Sequence, residues 1–201
     1  MFDRSAIRLI QPAVGRLAQA VHRLGLSANQ LTLLGFGLGV LAAYQIATGA
    51  FLTGLVTILL SRLCDALDGA LARLTQPTDA GGFLDITLDF LFYGSIPLAF
   101  ALHDPARNAL PAAVLLFAFI GTGSSFLAFA TLAAKRGLHN LNYPDKSFYF
   151  LGGLTEAGET LACFCAMCLW PGYFVELAYG FAALCLTTII TRLWWGWRTF
   201  A

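Results

Sequence analysis

Long uncharged, apolar runs are the feature that most constrains the fold, because a chain can cross the bilayer core with about 20 consecutive apolar residues. Such runs occupy residues 31–61 and 108–134, and a shorter one occupies residues 160–175. Only 11% of the 201 residues are charged, against roughly 25% in soluble domains. The sequence therefore predicts an all-α, polytopic membrane protein rather than a soluble domain.

Dividing these runs into spans predicts six transmembrane helices. Gly49 and Ala50 separate the first run into two helices, since glycine interrupts helical segments. The predicted spans are residues 31–48, 51–73, 83–102, 110–134, 147–170 and 173–193. We expect residues 27–201 to form one six-helix transmembrane domain.

The first 26 residues have a different pattern. Apolar residues recur every three or four positions, while the arginines lie off that stripe, as in an amphipathic helix; the stripe comprises Ile7, Ile10, Val14, Leu17, Val21 and Leu24. We predict that residues 1–26 form a juxtamembrane helix on the membrane surface. The alternative is a soluble helix that packs on the cytoplasmic loops.

The distribution of Lys and Arg predicts the orientation in the membrane, because positive residues near span ends stay cytoplasmic. In a six-span arrangement nearly all of these residues fall on one side, and only Arg107 lies opposite. Both termini are therefore predicted to be cytoplasmic, in a multi-pass protein of a bacterial inner membrane. The expected partner surface is the lipid bilayer, and no nucleic acid partner is expected.

Four carboxylates interrupt this apolar sequence at Asp65, Asp68, Asp85 and Asp89. Each pair lies about one helical turn apart and so shares one helix face. The connection at residues 74–80 is short and polar, which predicts adjacent antiparallel helices that bring both pairs together. Ionisable residues within membrane segments are costly to bury and usually functional. The sequence therefore places a functional site at the predicted cytoplasmic face.

The chemistry of these residues indicates a metal site that also binds a phosphate group. Clustered carboxylates repel one another unless a cation intervenes, and oxygen ligands favour Mg²⁺, Mn²⁺ or Ca²⁺. Gly69 leaves room for a ligand to approach the helix backbone, while Arg73 supplies a cationic fork suited to phosphate. The pattern is suited to a pyrophosphate substrate.

The spacing of these residues resembles the signature of a known family. It reads Asp, two residues, Asp-Gly, two residues, Ala-Arg, seven residues, Gly, three residues, Asp, three residues, Asp, and comprises Asp65, Asp68, Gly69, Ala72, Arg73, Gly81, Asp85 and Asp89. On this match the chain is similar to class I CDP-alcohol phosphotransferases, also called CDP-alcohol phosphatidyltransferases. Chain length, six predicted spans and the preceding surface helix are also similar to that family.

The resemblance implies roles for individual residues. The four aspartates would hold Mg²⁺ or Mn²⁺, Asp89 would be the general base, and Gly69 and Arg73 would contact the CDP part of the donor. Further donor-binding candidates are Thr78, Asn29 and Thr32, although Asn29 could equally be a helix N-cap. The resemblance also implies a homodimer, with weak independent support from the small-residue face of Gly35 and Gly39.

The function implied is transfer of a phosphatidyl-type group from a CDP-linked donor, expected to be CDP-diacylglycerol, to a small alcohol with release of CMP, a step of phospholipid biosynthesis. One alternative, a prenyltransferase with aspartate-rich motifs, predicts a second acidic motif. Another, a cation or proton transporter, predicts acids spread through the membrane depth. Neither pattern occurs in the sequence.

The acceptor alcohol is left open by the sequence. A phosphorylated acceptor could be bound by cations that flank the fourth and fifth spans, namely Lys135, Arg136 and Lys146. An amine or a set of hydroxyls could instead be bound by Glu156 and Glu159, unless these glutamates pair with Arg62. Because cationic loops occur in most membrane proteins, the glutamates slightly favour a hydroxylated or amino-alcohol acceptor.

Overall fold

A computed structural model describes residues 3–137 and 154–201, with side chains described from residue 13 onward. Within these ranges the chain is helical and contains no strand, which confirms the all-α prediction. The helices are α1 (Asp3–Arg23), α2 (Ala28–Ala47), α3 (Phe51–Leu74), α4 (Asp79–His103), α5 (Pro105–Lys135), α6 (Ala157–Leu169) and α7 (Phe174–Phe200). A short 3₁₀ turn, Pro171–Tyr173, precedes α7.

Side-chain caps fix the start of two helices that reach the acidic cluster. Ser27 and Gln30 form a capping box at α2, in which the Gln30 N–H donates to Ser27 Oγ over 3.3 Å and the Ser27 N–H donates to Gln30 Oε1 over 2.9 Å. At α4, the Gly81 N–H donates to Thr78 Oγ1 over 3.1 Å. Such caps satisfy N–H groups that lack a partner within the helix, and they therefore fix the first residues of α2 and α4.

Four helical segments are long and apolar enough to cross a membrane: α2, α4, α5 and the segment Pro171–Phe200. Many of their large apolar side chains are exposed, as Leu33, Ile120 and Ile190 illustrate, and lipid would cover such a surface. Helix α3 has the length of a span, but its second half is rich in charge. Four spans are thus supported, and a total of six remains a prediction.

The predicted fifth span, residues 147–170, begins outside the described residues. Its described part differs from the prediction, because residues 154–156 are not helical and α6 begins only at Ala157. Helix α6 has 13 residues, too few to cross a bilayer core of about 30 Å at 1.5 Å per residue.

Helix α2 packs against both α3 and α4, whereas α3 and α4 have little close backbone contact with each other. Glycines allow this approach: a Cβ at Gly35 would lie 3.1 Å from Cys64 Cβ, and one at Gly39 would lie 2.6 Å from Phe92 Cδ2. Helix α2 thus contacts both helices, while side chains of α3 and α4 still meet, as the 2.6 Å contact between Arg62 NH1 and Asp89 Oδ1 shows. The prediction that α3 and α4 are adjacent and bring their carboxylates together is therefore confirmed.

The same contacts change the argument for a homodimer. Gly35 and Gly39 pack against helices of their own subunit, so their small-residue face gives no support for an interface between copies. The homodimer remains a prediction from family resemblance.

Helix α1 packs against α3, where its Val14 and Ala18 are buried with Leu67, Ala70 and Leu71. Leu17, also assigned to the apolar stripe, is 47% exposed. A helix is predicted within residues 1–26, and α1 is that helix. It contacts α3, the helix that carries Asp65 and Asp68. Its location at the membrane surface stays a prediction.

The apolar core lies towards the opposite end of the bundle from the aspartates. There the Phe100 ring stacks on Phe51 and on Phe174, with centroid distances of 5.6 Å and 4.5 Å. These rings join the start of α3, the end of α4 and the start of α7. Aromatic packing at this end leaves the other ends of the same helices to form the polar site.

Candidate active site

Three of the four signature aspartates meet across the cleft between α3 and α4. Asp65 and Asp68 on α3 and Asp85 on α4 each offer a carboxylate oxygen, and these oxygens lie within 4.8 Å of one another. Asp68 is only 5% exposed. Because residues three apart share a helix face, the spacing within α3 directs both of its carboxylates towards α4.

This trio fits a divalent cation. The Oδ2 atom of Asp68 is buried and has no hydrogen-bond partner in the described part of the chain, a costly state for a charged oxygen. A cation held by Asp65, Asp68 and Asp85 would satisfy that oxygen and reduce the repulsion among the three. The all-oxygen ligand set is the one that Mg²⁺ and Mn²⁺ prefer.

The fourth aspartate, Asp89, has a different partner. Its Oδ1 accepts a hydrogen bond of 2.6 Å from Arg62 NH1, which also lies 3.4 Å from Asp65 Oδ1. The sequence suggested Arg62 as a partner for the glutamates of the fifth span, whereas these ion pairs are with aspartates. Arg62 and Asp89 are 27 residues apart on different helices, so no local pattern in the sequence indicates their contact.

A cleft of about 410 Å³ opens beside the trio, at the ends of α2, α3 and α4. All five residues predicted to contact the donor line it: Asn29, Thr32, Gly69, Arg73 and Thr78. The N-cap of α2 is Ser27, so the alternative role of Asn29 as a helix cap is wrong. The donor candidates thus share one cleft with Asp68, Asp85 and Asp89.

Two glycines shape this cleft. A Cβ at Gly81 would lie 3.0 Å from Asn29 Oδ1 and 3.1 Å from Thr78 Oγ1, so only glycine leaves both polar atoms undisturbed. A Cβ at Gly69 would lie 3.5 Å from Arg73 NH1, an ordinary contact distance. A methyl group at Gly69 would therefore meet no clash within the protein, although it would project from the wall of the cleft.

A second, larger cavity of about 750 Å³ lies among α4, α5, α7 and the start of α6. Its wall is mostly apolar, with polar groups contributed by Asp89, Thr155, Glu156, Thr160 and Arg192. Asp89 and Phe126 line both this cavity and the cleft beside the trio. Asp89 therefore lies at the junction of the cleft and the second cavity.

Arg192 is a candidate binding residue that the sequence pattern does not indicate. It is 8% exposed, its NH1 donates to the Thr122 carbonyl oxygen over 2.9 Å, and its buried Nε has no hydrogen-bond partner among the described residues. From the sequence alone, Arg192 contributes only to the predicted orientation, as one of the positive residues near the end of a span. Its place in a cavity wall depends on how α7 packs against α5, which the sequence does not specify.

The predicted acceptor residues fall in different places. Glu156 lines the second cavity, and its N–H donates to Glu159 Oε2 over 3.1 Å at the start of α6. The expectation that these glutamates lie inside a span is therefore wrong for the helix described, because they occupy its N-cap and third positions. Their role in acceptor binding remains a prediction.

The three cations lie elsewhere. Lys135 is exposed at the end of α5, and Arg136 donates to the carbonyl oxygens of Thr199 and Phe200 over 3.2 Å and 2.7 Å. Neither residue is in the described wall of the second cavity. Lys146 is outside the described residues, so its prediction is untouched.

Two known proteins are similar to this chain in sequence. The inner membrane protein YnjF of Escherichia coli is 53% identical over 199 residues, which cover 99% of this chain and 97% of that protein. Archaetidylinositol phosphate synthase of Pyrococcus horikoshii is 36% identical over 108 residues, or 53% of this chain and 57% of that protein.

Similarity to a solved structure concerns the fold. The crystal structure of Mycobacterium tuberculosis phosphatidylinositol phosphate synthase (PgsA1) with CDP-DAG bound superposes with a TM-score of 0.73 at 23% identity, covering 92% of this chain and 93% of that one. Another crystal structure of the same protein, in complex with manganese and citrate, superposes with a TM-score of 0.72 at 22% identity, covering 92% and 88% of the two chains.

The family assignment comes from the sequence. Residues 26–194 match the family described as CDP-alcohol phosphatidyltransferase, and this range contains the complete signature from Asp65 to Asp89. Neither of the alternative classes, the prenyltransferase and the transporter, is supported by this match. The chain belongs to the CDP-alcohol phosphatidyltransferase family.

Proposed function

We propose that this protein transfers a phosphatidyl-type group from CDP-diacylglycerol to a hydroxyl of a small phosphorylated polyol and releases CMP, with Mg²⁺ or Mn²⁺ as cofactor. The observation that carries the proposal is the place of Asp89, which lines both the cleft and the second cavity. A group transfer requires that donor and acceptor meet beside the base. If each substrate occupied one of the two cavities, both would reach Asp89.

The cleft suits the nucleotide end of the donor. Arg73 offers a planar cationic fork for phosphate oxygens, and Asn29 and Thr78 offer hydrogen-bonding groups along the same wall. Gly69 leaves the helix backbone open to a ligand. The exposed apolar faces of the surrounding helices would let the acyl chains of a lipid donor stay in the bilayer. The crystal structure of PgsA1 with CDP-DAG bound gives this choice of donor further support.

Proton transfer is assigned to Asp89. Its carboxylate takes the proton of the acceptor hydroxyl as the hydroxyl oxygen attacks the phosphorus that carries the lipid group. The bond between that phosphorus and the bridging oxygen of the diphosphate breaks, and CMP leaves with the electron pair. Bound to Asp65, Asp68 and Asp85, a divalent cation would neutralise negative charge on the diphosphate.

The second cavity suits a phosphorylated acceptor. Arg192 has an unpartnered buried Nε within the described chain and lies in the cavity wall, and guanidinium groups bind phosphate through paired, charge-assisted hydrogen bonds. Glu156 and Thr160 in the same wall could bind hydroxyl groups. The same acceptor class is favoured by the names of two similar proteins: an archaetidylinositol phosphate synthase that is similar in sequence and a phosphatidylinositol phosphate synthase that is similar in fold.

The proposal includes a location. The site lies where α2 and α4 begin and α3 ends, and the positive residues predict that this end faces the cytoplasm. A nucleotide and a polar acceptor would then enter from the cytoplasm. The match to an inner membrane protein of E. coli supports a bacterial inner membrane, and a homodimer is retained as part of the proposal.

CMP release tests the function directly. Purified full-length protein in lipid nanodiscs would receive CDP-diacylglycerol and Mn²⁺ with inositol phosphate, glycerol 3-phosphate, inositol, serine, choline or ethanolamine, and an Asp89→Asn variant would serve as the inactive control. We expect CMP release with a phosphorylated polyol and at least 100-fold less from the variant, the usual range for loss of a general base.

Two outcomes would contradict the proposal. Absence of CMP release with every acceptor would argue against the transferase function as stated. Release only with serine, choline or ethanolamine would keep the reaction and overturn the phosphorylated acceptor, in favour of the amino-alcohol that the glutamates suggested.

A further inference from the structure

A nearly buried cation bridges two of the signature carboxylates. Arg62 lies on α3, one turn before Asp65, and its NH1 is 2.6 Å from Asp89 Oδ1 and 3.4 Å from Asp65 Oδ1. The Arg62 side chain is 12% exposed. Arg62 therefore links α3, which carries Asp65 and Asp68, to Asp89 on α4, the proposed base, through an ion pair.

Further contacts hold the guanidinium group in place. Its central carbon lies 3.8 Å from the centroid of the Phe92 ring, within the range of a cation–π interaction. Its NH2 donates to Ser61 Oγ over 3.3 Å, and Ser61 Oγ donates to the Gly35 carbonyl oxygen over 2.7 Å. Arg62 is thus fixed by α2, α3 and α4 together, unlike a surface arginine that exchanges partners in water.

This geometry separates Asp89 from the other three aspartates. The trio of oxygens within 4.8 Å consists of Asp65, Asp68 and Asp85, while Asp89 Oδ1 accepts a short charge-assisted hydrogen bond from Arg62. Such a bond fixes the orientation of a carboxylate. The same guanidinium places a positive charge 3.4 Å from Asp65, one of the three carboxylates that would hold a cation.

We infer that Arg62 is a positioning residue of this site: it holds the Asp89 carboxylate at the junction of the two cavities and lowers the affinity of the cluster for divalent cations. The inference rests on the proposed function for the role of Asp89, whereas the effect on metal affinity follows from charge alone.

Removing Arg62 should have opposite effects on two properties. The cluster loses a cation that repels a divalent metal at close range, so the metal should bind more tightly. The base loses the bond that orients it, so turnover should fall. Loss of a metal ligand would weaken both metal binding and turnover, and a general loss of structure would do the same. Tighter metal binding with slower turnover is therefore specific to the inferred role.

The test compares Arg62→Gln and Arg62→Lys with the wild type, using the full-length protein in nanodiscs. Arg107→Gln is the matched control, because Arg107 donates to the Gly172 carbonyl oxygen over 2.6 Å at the end of the bundle away from the aspartates. Mn²⁺ affinity would be measured without substrates, from the electron paramagnetic resonance signal of free Mn²⁺. CMP release would give kcat and the KM for the donor.

For Arg62→Gln we expect Mn²⁺ binding about tenfold tighter, on the scale of one close charge pair in a partly screened site, and kcat lower by about 10- to 100-fold with little change in donor KM. Lysine keeps the charge but has a single terminal nitrogen, so it cannot reproduce the separate contacts of NH1 with Asp89 and NH2 with Ser61. Arg62→Lys should therefore keep the wild-type Mn²⁺ affinity with a reduced kcat. Arg107→Gln should match the wild type in both measurements.

Unchanged or weaker Mn²⁺ binding by folded Arg62→Gln would overturn the inference. If that variant does not fold, Arg62→Lys decides the outcome: a reduced kcat at unchanged Mn²⁺ affinity supports the inference, and a wild-type kcat overturns it. Failure of the proposed function is distinguishable, because the wild type would then release no CMP while the Mn²⁺ affinities still report on the charge of Arg62.

Discussion

Thr155 and Thr188 join the start of α6 to the middle of α7 by two hydrogen bonds in a buried contact. The Thr155 N–H donates to Thr188 Oγ1 over 3.1 Å, and the two hydroxyl oxygens lie 2.9 Å apart. Thr188 is fully buried, and Thr155 is 8% exposed. Because Thr155 precedes Glu156 and both line the second cavity, this contact fixes one polar wall of the proposed acceptor site.

Replacing Thr188 with Val should therefore affect both stability and acceptor binding. The Thr155 N–H would lose its acceptor in a buried place, which costs about 1–3 kcal/mol. We expect a lower unfolding temperature in nanodiscs and a higher KM for the acceptor, at unchanged donor KM. Thr187→Val is the control, since the Thr187 hydroxyl is exposed and donates only to Ala183 of its own helix. Equal effects of both substitutions would contradict this role of Thr188.

Metal binding should depend on Asp68 more than on its acidic neighbour Asp79. Asp68 has the buried oxygen without a partner in the described chain, whereas Asp79 is exposed at the start of α4 and is not in the described wall of the cleft. We expect Asp68→Asn to weaken Mn²⁺ binding by tenfold or more, at least as much as the loss of a supporting residue does, and to reduce CMP release. Asp79→Asn should leave both near the wild-type values. Similar Mn²⁺ affinities for the two variants would remove Asp68 from the ligand set.

Gly69→Ala should stabilise the fold and weaken donor binding. Alanine favours a helix over glycine by about 1 kcal/mol, and the new methyl group would meet Arg73 NH1 at 3.5 Å, without a clash. That group would, however, enter the cleft proposed for the CDP moiety. We expect an equal or higher unfolding temperature together with a raised KM for the donor.

Gly37→Ala is the control for that substitution. Gly37 lies within α2, and a Cβ there would meet no atom of the described chain within 4 Å. It should give the same gain in helix stability with no change in donor KM. A Gly69→Ala variant with a wild-type donor KM would mean that the donor does not approach this part of α3.

The sequence predicts the features of this protein that depend on local spacing. Asp65 and Asp68 share a face because they are three residues apart on one helix, and the donor candidates Asn29, Thr32 and Thr78 belong to short segments beside helix starts. Helical periodicity and capping chemistry are local properties, so the order of residues along the chain is enough to group these side chains around one cleft.

Features that depend on packing between distant segments could not be predicted in this way. Helix α2 lies against both α3 and α4 because Gly35 and Gly39 allow close approach, and the sequence does not say which neighbours those glycines contact. The Arg62–Asp89 pair and the location of Arg192 in a cavity wall are likewise consequences of tertiary contacts. The apolar composition of residues 147–170 predicts one continuous span. Helix α6 instead begins only at Ala157, and composition alone does not indicate that start.

Arg192 provides the sharpest test of the acceptor, because its charge lies in the second cavity and its Nε has no partner among described residues. We expect Arg192→Gln to raise the KM for a phosphorylated acceptor by about 10- to 100-fold, equivalent to the roughly 1.5–3 kcal/mol of a hydrogen bond to a charged group. The KM for the donor should not change, since Arg192 does not line the described cleft. Helices α5 and α7 contact each other along much of their length, so their packing should persist without the bond from Arg192 to the Thr122 carbonyl oxygen.

Two further variants make this measurement decisive. Arg198→Gln removes the same charge from the same helix at an exposed residue whose guanidinium lies 4.3 Å from the Trp194 ring centroid, and it should leave the acceptor KM unchanged. Lys135→Gln tests the competing assignment, in which an exposed cation at the end of α5 binds the acceptor phosphate. A large rise in acceptor KM for Lys135→Gln, together with none for Arg192→Gln, would move the acceptor site from the second cavity to that end of α5. The opposite result is expected, because a phosphate bound in a mostly apolar cavity requires a cation within the same wall.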